Sequence, residues 1–470
     1  MNADELLLGS ATLIADAVAH RRVSARDMIE ATLARIAATE PEVNAFIHVD
    51  ADGARVAADR IDAALANGEL VGPLAGVPVS VKDLVHVAGM PTSAGSVVSA
   101  GTMAPGDAAP IARLRAAGAV MVGKTTTPEY GHKPLTESPL FGRTLNPWNR
   151  RFTAGGSSGG AAAGLAARQV PLAVGTDGGG SIRIPASLCG VWGLKATLGN
   201  IAHVHAPDLF NNNSYIGPMA RHVEDLSLMA RIMTGVDGRD PWSRRHPLEL
   251  DVDPTHRLVV GHARTVGNPR IEDEVAQAFD AAIEALAAMG HHIQPVTIDL
   301  AAYEPAFRTQ LEAMLAARFS ASLATDRQRF DVSFVTTIEN GLRHSGTEVV
   351  SAGVARTRLF REIERLFGRI DVLVTPTVAA ASLPADTDPH APVSIAGRPC
   401  GPIRAGWYPY TFPFNMTGHP ALSMPCGWSG QGLPVGLQLV GRWDEEARLL
   451  ALARALAERL AVPVRMPALT

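Results

Sequence analysis

Ser181 stands directly after three glycines, Gly178, Gly179 and Gly180. A serine placed there can attack a carbonyl carbon while successive backbone N–H groups hold the oxygen that becomes negative. The same string also suits a structural or phosphate-cradling turn. A second cluster, Gly155-Gly156-Ser157-Ser158-Gly159-Gly160, supplies two further hydroxyls. Either serine satisfies the G-x-S-x-G pattern of a nucleophile elbow, but an elbow needs a buried strand immediately before it. The preceding stretch from Asn146 to Thr153 is polar and turn-like, which disfavours that reading. Neither cluster continues into Gly-Lys-Ser or Gly-Lys-Thr, so a P-loop fails. Lys82 closes an apolar run and, if its strand is central, burial lowers its pKa and frees the amine to act as a base. The plainer alternative is a lysine snorkelling from a strand end. The fifteen histidines form no HExxH or other metal-spaced motif, and no Ser/His/Asp arrangement is legible.

These residues need elements to hold them. Val77, Val79 and Val81 alternate as in a strand that ends at Lys82, which sends Asp83 to the opposite face. The apolar stretch Pro171 to Val174 predicts a strand before the second glycine cluster, and Pro185 marks the first turn of a helix after it. Ala161 to Ala167 predicts a helix after the first cluster. Upstream, Ser24 and Asp27 resemble a capping box for a helix carrying Ile29, Leu33 and Ile36 and ending before Pro41, followed by a helix over about Gly53 to Asn67. Downstream, a strand at Leu258 to Gly261, a helix bearing Val275, Phe279, Ile283 and Leu286, and a strand at Ile293 to Leu300 follow in turn. Further strands are expected at Asp371 to Val374 and Val435 to Val440, with Asp444 capping a last helix that carries Leu449, Leu452, Leu456 and Leu460. Asp237 to His256 is polar enough for a boundary, but strand–helix alternation on both sides favours one layered α/β unit. Ala381 to Arg404 reads as a long irregular connection, either plain surface or a substrate-side loop.

The 470 residues suggest about three domains or one large α/β domain. With 47% hydrophobic and 19% charged residues the chain folds, and a net charge of −4 gives no field for collecting nucleic acid or an anionic membrane. Three cysteines without CxxC spacing disfavour a disulfide framework and fit a reducing compartment. No basic-then-apolar leader and no apolar run of membrane-spanning length is visible, so a cytoplasmic location is expected.

Seven ordered motifs together resemble the amidase signature family. They are Gly72 to Asp83, Gly155 to Gly160, Gly175 to Pro185, Cys189 to Lys195, Gly217 to Arg221, Asp371 to Thr377 and Gly432 to Gly441. The resemblance covers nearly the whole chain. It implies an α/β fold with a large mixed, mostly parallel twisted sheet covered by helices on both faces. It also implies one domain over 1–470, divided into N-terminal helices (1–70), a catalytic core (71–221) and the remaining layers and substrate-side loops (222–470). By the same resemblance Ser181 is the nucleophile, Ser157, preceded by a cis peptide, relays the proton, and Lys82 is the base. The N–H groups of Gly178, Gly179, Gly180 and Ser181 form the oxyanion hole, and Ser158, Thr176, Asp177 and Arg183 support the centre. Four positions depart from the usual pattern: Ala154, Ala161, Gly178 in place of a larger residue, and Ala196. They bear on the rigidity of the oxyanion loop and the shape of the acyl pocket.

The activity implied is hydrolysis of a small, largely apolar aryl or alkyl amide, without metal or organic cofactor. Two alternatives stand beside it: an aryl-carbamate hydrolase using the same triad, and the glutaminase subunit of a tRNA-dependent amidotransferase. Recognition of charged glutamine needs a carboxylate for the substrate ammonium and a cation for its carboxylate. The resemblance implies that in the amidotransferase branch an acid lies shortly before the Pro-x-Asn motif, and Gly406 to Asn415 contains none. The aromatics there, Trp407, Tyr408, Tyr410, Phe412 and Phe414, point to an apolar pocket, with some of them in the core. The expected partner is a small-molecule amide or carbamate, not nucleic acid or membrane, and a homodimer is allowed.

Overall fold

The computed structural model describes residues 2–243 and 256–469. One sheet of eleven strands organises them. In chain order the strands are β1 (Phe46–Val49), β2 (Pro78–Lys82), β3 (Val120–Thr125), β4 (Leu172–Asp177), β5 (Trp192–Lys195) and β6 (Tyr215–Ala220). They continue with β7 (Val259–His262), β8 (His292–Pro295), β9 (Val372–Pro376), β10 (Ala421–Trp428) and β11 (Pro434–Val440). The spatial order is β1-β3-β2-β4-β6-β5-β10-β11-β9-β7-β8.

The sheet is mixed, as expected, but the balance differs from a mostly parallel one. Among the described residues parallel pairing holds at β3–β2, β2–β4, β9–β7 and β7–β8, while the other six junctions are antiparallel. Two parallel flanks thus join through an antiparallel middle. A single sequence shows where strands lie but not which neighbour each one takes.

Every residue of β2, β3, β4, β6, β9 and β11 is buried. Both faces of these strands are covered, so the alternation of Val77, Val79 and Val81 reflects β-branched preference and not one wet face. Burying each such valine contributes roughly 1.5–3 kcal/mol. The edge strands β1 and β8 keep exposed positions, as unpaired edges do.

Of the helices, α1 (Ala25–Val43) is capped by Ser24, whose hydroxyl accepts from Asp27 N–H at 2.9 Å. It runs through Pro41 and does not stop before it; the proline sits in the last turn, where it forfeits one N–H, and Asn44 at φ 52 ends the helix. The helix α2 (Gly159–Ala166) follows the first glycine cluster and α3 (Arg183–Cys189) follows the second, so Pro185 lies inside its first turn. A long helix α4 (Glu304–Asp326), the following α5 (Val332–Gly341) and α6 (Gly346–Phe367) form a layer beside the site, and α7 (Phe412–Thr417) comes from the aromatic stretch. The last helix, α8 (Glu446–Leu460), has Glu445 at its cap position and not Asp444. Asp444 has φ 69, outside the extended conformation a cap residue needs.

The strand expected over Ile293 to Leu300 is limited to β8 at the edge. The stretch Ala381 to Arg404 is less irregular than expected, since Pro392–Ile395 and Arg398–Pro402 pair as a small separate hairpin. Of the polar stretch Asp237 to His256, residues 244–255 lie outside the described residues.

Candidate active site

Lys82 is the last residue of β2, held between β3 and β4 and fully buried. Its Nζ lies 2.7 Å from Ser157 Oγ, 2.9 Å from Ser158 Oγ and 2.8 Å from Thr176 Oγ1, with the Thr176 carbonyl at 3.4 Å. Burial pushes its pKa well below the ordinary lysine value, and the Asp177 charge only partly restores it. The Ser158 hydroxyl donates to the Thr176 carbonyl at 3.0 Å, which leaves its lone pairs to accept from Lys82. A neutral amine has two protons and one lone pair. With Ser158 and Thr176 taking the protons, the lone pair is left for the Ser157 hydroxyl.

The two glycine clusters come together around this amine. The Gly156–Ser157 peptide is cis. A Cβ on Gly156 would meet Leu135 N at 2.7 Å, so only glycine lets the segment 134–135 close over the Ser157 loop. Ser158 N–H donates to the Ser181 carbonyl at 3.1 Å, which ties the loop before α2 to the turn before α3. Ser157 is buried, whereas Ser181 is half-buried. Asp83, on the opposite side of the chain as expected, accepts from Ser93 and Gly95 and pairs with Lys124 at 3.3 Å.

Asp177 at the end of β4 shapes the turn. Its carboxylate accepts from the amides of Gly180 at 2.6 Å and Ile182 at 3.1 Å, and it pairs with Arg183 through Nε at 3.0 Å and Nη2 at 2.9 Å. Burial alone would raise its pKa; the Arg183 guanidinium and the Asn415 amide override that and hold it far below the usual carboxylate range. The Gly180 amide, one of the four expected to line the oxyanion hole, is therefore committed to Asp177, because the start of α3 needs its orphan donors satisfied. Among the described residues nothing accepts the amides of Gly178, Gly179 and Ser181.

Arg183 spends its remaining donors far along the chain: Nη1 on the Thr411 carbonyl at 2.9 Å and Gln438 Oε1 at 2.8 Å, Nη2 on Asn415 Oδ1 at 2.6 Å. Thr411 in turn donates to the Gly179 carbonyl at 2.8 Å. Sequence reasoning missed Thr411, Asn415 and Gln438, although the last two sit in or beside motifs it singled out. Lys195 was missed as well: it is fully buried, donates to the Ala196 carbonyl at 2.8 Å and lies 4.0 Å above the Tyr215 ring. The aromatics of the 406–415 stretch are all core, at 0–4% exposure. Two of them place their polar ends on internal partners, Trp407 Nε1 on the Ala380 carbonyl and the Tyr410 hydroxyl on the Arg264 carbonyl.

The arrangement can do acyl transfer: a buried amine, a hydroxyl in contact with it, an accessible serine and unclaimed amides occupy one corner of the sheet. A model of the family described as amidase matches residues 27–450. A glutamyl-tRNA(Gln) amidotransferase subunit from Chloroflexus aurantiacus is 35% identical over 93% of this chain and 94% of its own length. An acylamidase from Rhodococcus erythropolis is 34% identical, over 94% of each chain. Among solved structures, a bacterial aryl acylamidase superposes with a TM-score of 0.90 at 28% identity, over 96% of each chain. A 6-aminohexanoate cyclic dimer hydrolase does so with a TM-score of 0.86 at 30% identity, over 98% of this chain and 99% of its own.

Proposed function

The chain belongs to the amidase signature family and is an amide-hydrolysing enzyme, and on that footing we propose that it is a self-sufficient serine hydrolase of small amides. The observation that carries the mechanism is the buried Lys82 amine in contact with Ser157 and touched by no carboxylate among the described residues. In its neutral form Lys82 takes the Ser157 proton as Ser157 takes that of Ser181, and Ser181 Oγ attacks the amide carbon. The negative oxygen is received by the amides of Gly178, Gly179 and Ser181, with Gly180 held back by Asp177. The relay then runs in reverse, the leaving nitrogen takes the proton, and water repeats the cycle on the acyl-serine. Ser158 and Thr176 orient the amine, while Asp177 and Arg183 fix the turn.

A second reading, as one component of an amidotransferase, draws on the likeness to the Chloroflexus protein. Against it stands the lack of any acid in the buried stretch Gly406 to Asn415. The carbonyl of an aryl carbamate would meet the same groups as that of an amide. Cys189, Cys400 and Cys426, all free and buried, fit a reducing, cytoplasmic setting, and among the described residues no helix is long and apolar enough to cross a membrane.

The test is amine and ammonia release by the purified chain over primary amides, anilides, aryl carbamates and glutamine, with Ser181→Ala as control. Turnover of a neutral amide, lowered by about 10⁴-fold or more in the control, is expected. Release from glutamine alone, or silence until a second protein component is added, would transfer the protein to the second reading.

A further inference from the structure

Three consecutive glycines precede Ser181, and the structure gives two of them a reason to be glycine. Gly180 has φ +122, and a Cβ on it would stand 2.3 Å from Thr411 Oγ1. Gly179 has no such backbone demand, but a Cβ there would stand 2.7 Å from Phe307 Cζ. Phe307 is 4% exposed and packs on Phe412 with ring centroids 5.1 Å apart, so this side of the turn is a closed wall. Gly178 has neither reason. Its φ lies outside the left-handed region, and no atom comes within 4 Å of where a Cβ would be. The residue is nonetheless half-buried, next to the unclaimed amides and two residues from the committed Gly180. Open ground inside a concave turn is the one thing that a side chain at 178 would remove.

We propose that Gly178 determines specificity: its missing side chain is the space that receives a bulky substituent next to the scissile carbonyl. The inference rests on the hydrolase reading above and deepens it by naming the substrate class, amides or carbamates branched or ringed close to the reacting carbon. Among the described residues Phe307 closes the turn over Gly179 and Thr411 closes it over Gly180, so of the three glycines Gly178 is the one that leaves room for bulk.

The test uses the full chain and two substrate series. One grows the acyl group on a fixed anilide leaving group; the other grows the leaving amine on a fixed acetyl group. Gly178→Ala and Gly178→Val are compared with the parent. Whatever common loss the variants show on the smallest substrate, we expect kcat/KM relative to that substrate to fall in one series only, in order of substituent size and more for valine than for alanine, by about 10-fold or more at the bulkiest member. The series that responds identifies which half of the substrate lies over residue 178. Equal losses for every substrate, the smallest included, would show that the side chain disturbs the turn itself and would overturn the inference while leaving the hydrolase reading intact. Unchanged selectivity in both series would overturn it too. If the parent turns over no member of either series, or Ser181→Ala is as active as the parent, the hydrolase reading fails and takes the inference with it.

Discussion

Lys82 and Lys124 sit on neighbouring strands one residue out of step, Lys82 opposite Thr125 and Lys124 opposite Val81. Both are fully buried, yet their surroundings differ in kind. Lys124 faces the Asp83 carboxylate at 3.3 Å, the Thr92 hydroxyl at 2.9 Å and the Pro91 carbonyl at 3.2 Å. Lys82 faces three hydroxyls and a carbonyl. Burial lowers the pKa of both, but at Lys124 the contacting carboxylate pulls it back up. A carboxylate in contact favours the protonated amine and makes a structural ion pair, whereas hydroxyls carry no opposing charge and can both accept from a neutral amine and donate to its lone pair. Depth in the sheet therefore does not separate a base from a strut. The first ring of partners does.

The sharpest way to break this contrast is to remove each amine in turn. Lys82→Met should lower kcat by about 10³-fold while the urea midpoint holds or rises, because no buried charge is left unpaired. Lys124→Met should do the converse: turnover per folded molecule is kept, and stability falls by about 3–5 kcal/mol because Asp83 is left buried without its cation. If Lys124→Met silenced the enzyme as Lys82→Met does, the distinction drawn from their partners would be lost.

The pH dependence sharpens the same point. With the folded pKa of Lys82 well below 10.5, kcat/KM should climb with pH along one limb and level off before 10.5. The unfolded chain holds that proton up to about 10.5, so folding stability rises with pH from the folded pKa, where the rate limb levels off, to about 10.5, and Lys82→Met should flatten this contribution. A limb at or above 10.5 would mean that the amine is not depressed and would contradict its role as resting base.

The smallest effect is expected at Lys195, a third fully buried lysine, pushed down by burial and by the nearby Arg183 charge. It contacts a backbone carbonyl and an aromatic face and no hydroxyl of the candidate centre. Lys195→Met nearly conserves volume and should cost under about 1.5 kcal/mol in a denaturation curve, with kcat changed less than about 10-fold. A loss comparable to that of Lys82→Met would show that Lys195 belongs to the chemistry.

The sequence was most informative where chemistry and local structure coincide. Lys82 at a strand end, the two glycine clusters and the strand and helix that flank Ser181 were readable because glycine strings and β-branched runs are local signals. The clamp on Arg183 was not, because Thr411, Asn415 and Gln438 lie more than two hundred residues away and a single chain carries no record of its long-range pairings. The same blindness hid the antiparallel middle of the sheet. It also left open how many of the aromatics after Gly406 are core, since an apolar cluster reads alike whether it lines a cleft or fills a core; all five are buried. The commitment of the Gly180 amide to Asp177 could be learned only from the turn itself.

That clamp has a bearing on how the enzyme is made. A ribosome delivers Lys82, Ser157, Ser181, Arg183 and its partner Asp177 in the first half of synthesis, but the distant groups that hold Arg183 arrive only with residues 411–438, and the second strand that pairs with β5 spans Ala421–Trp428. A nascent chain stopped at residue 400 would carry every side chain proposed to react, and Asp177 within its turn, but would lack the Thr411, Asn415 and Gln438 contacts that anchor Arg183. The anchoring of the turn to the far half of the sheet is thereby deferred until translation is almost finished.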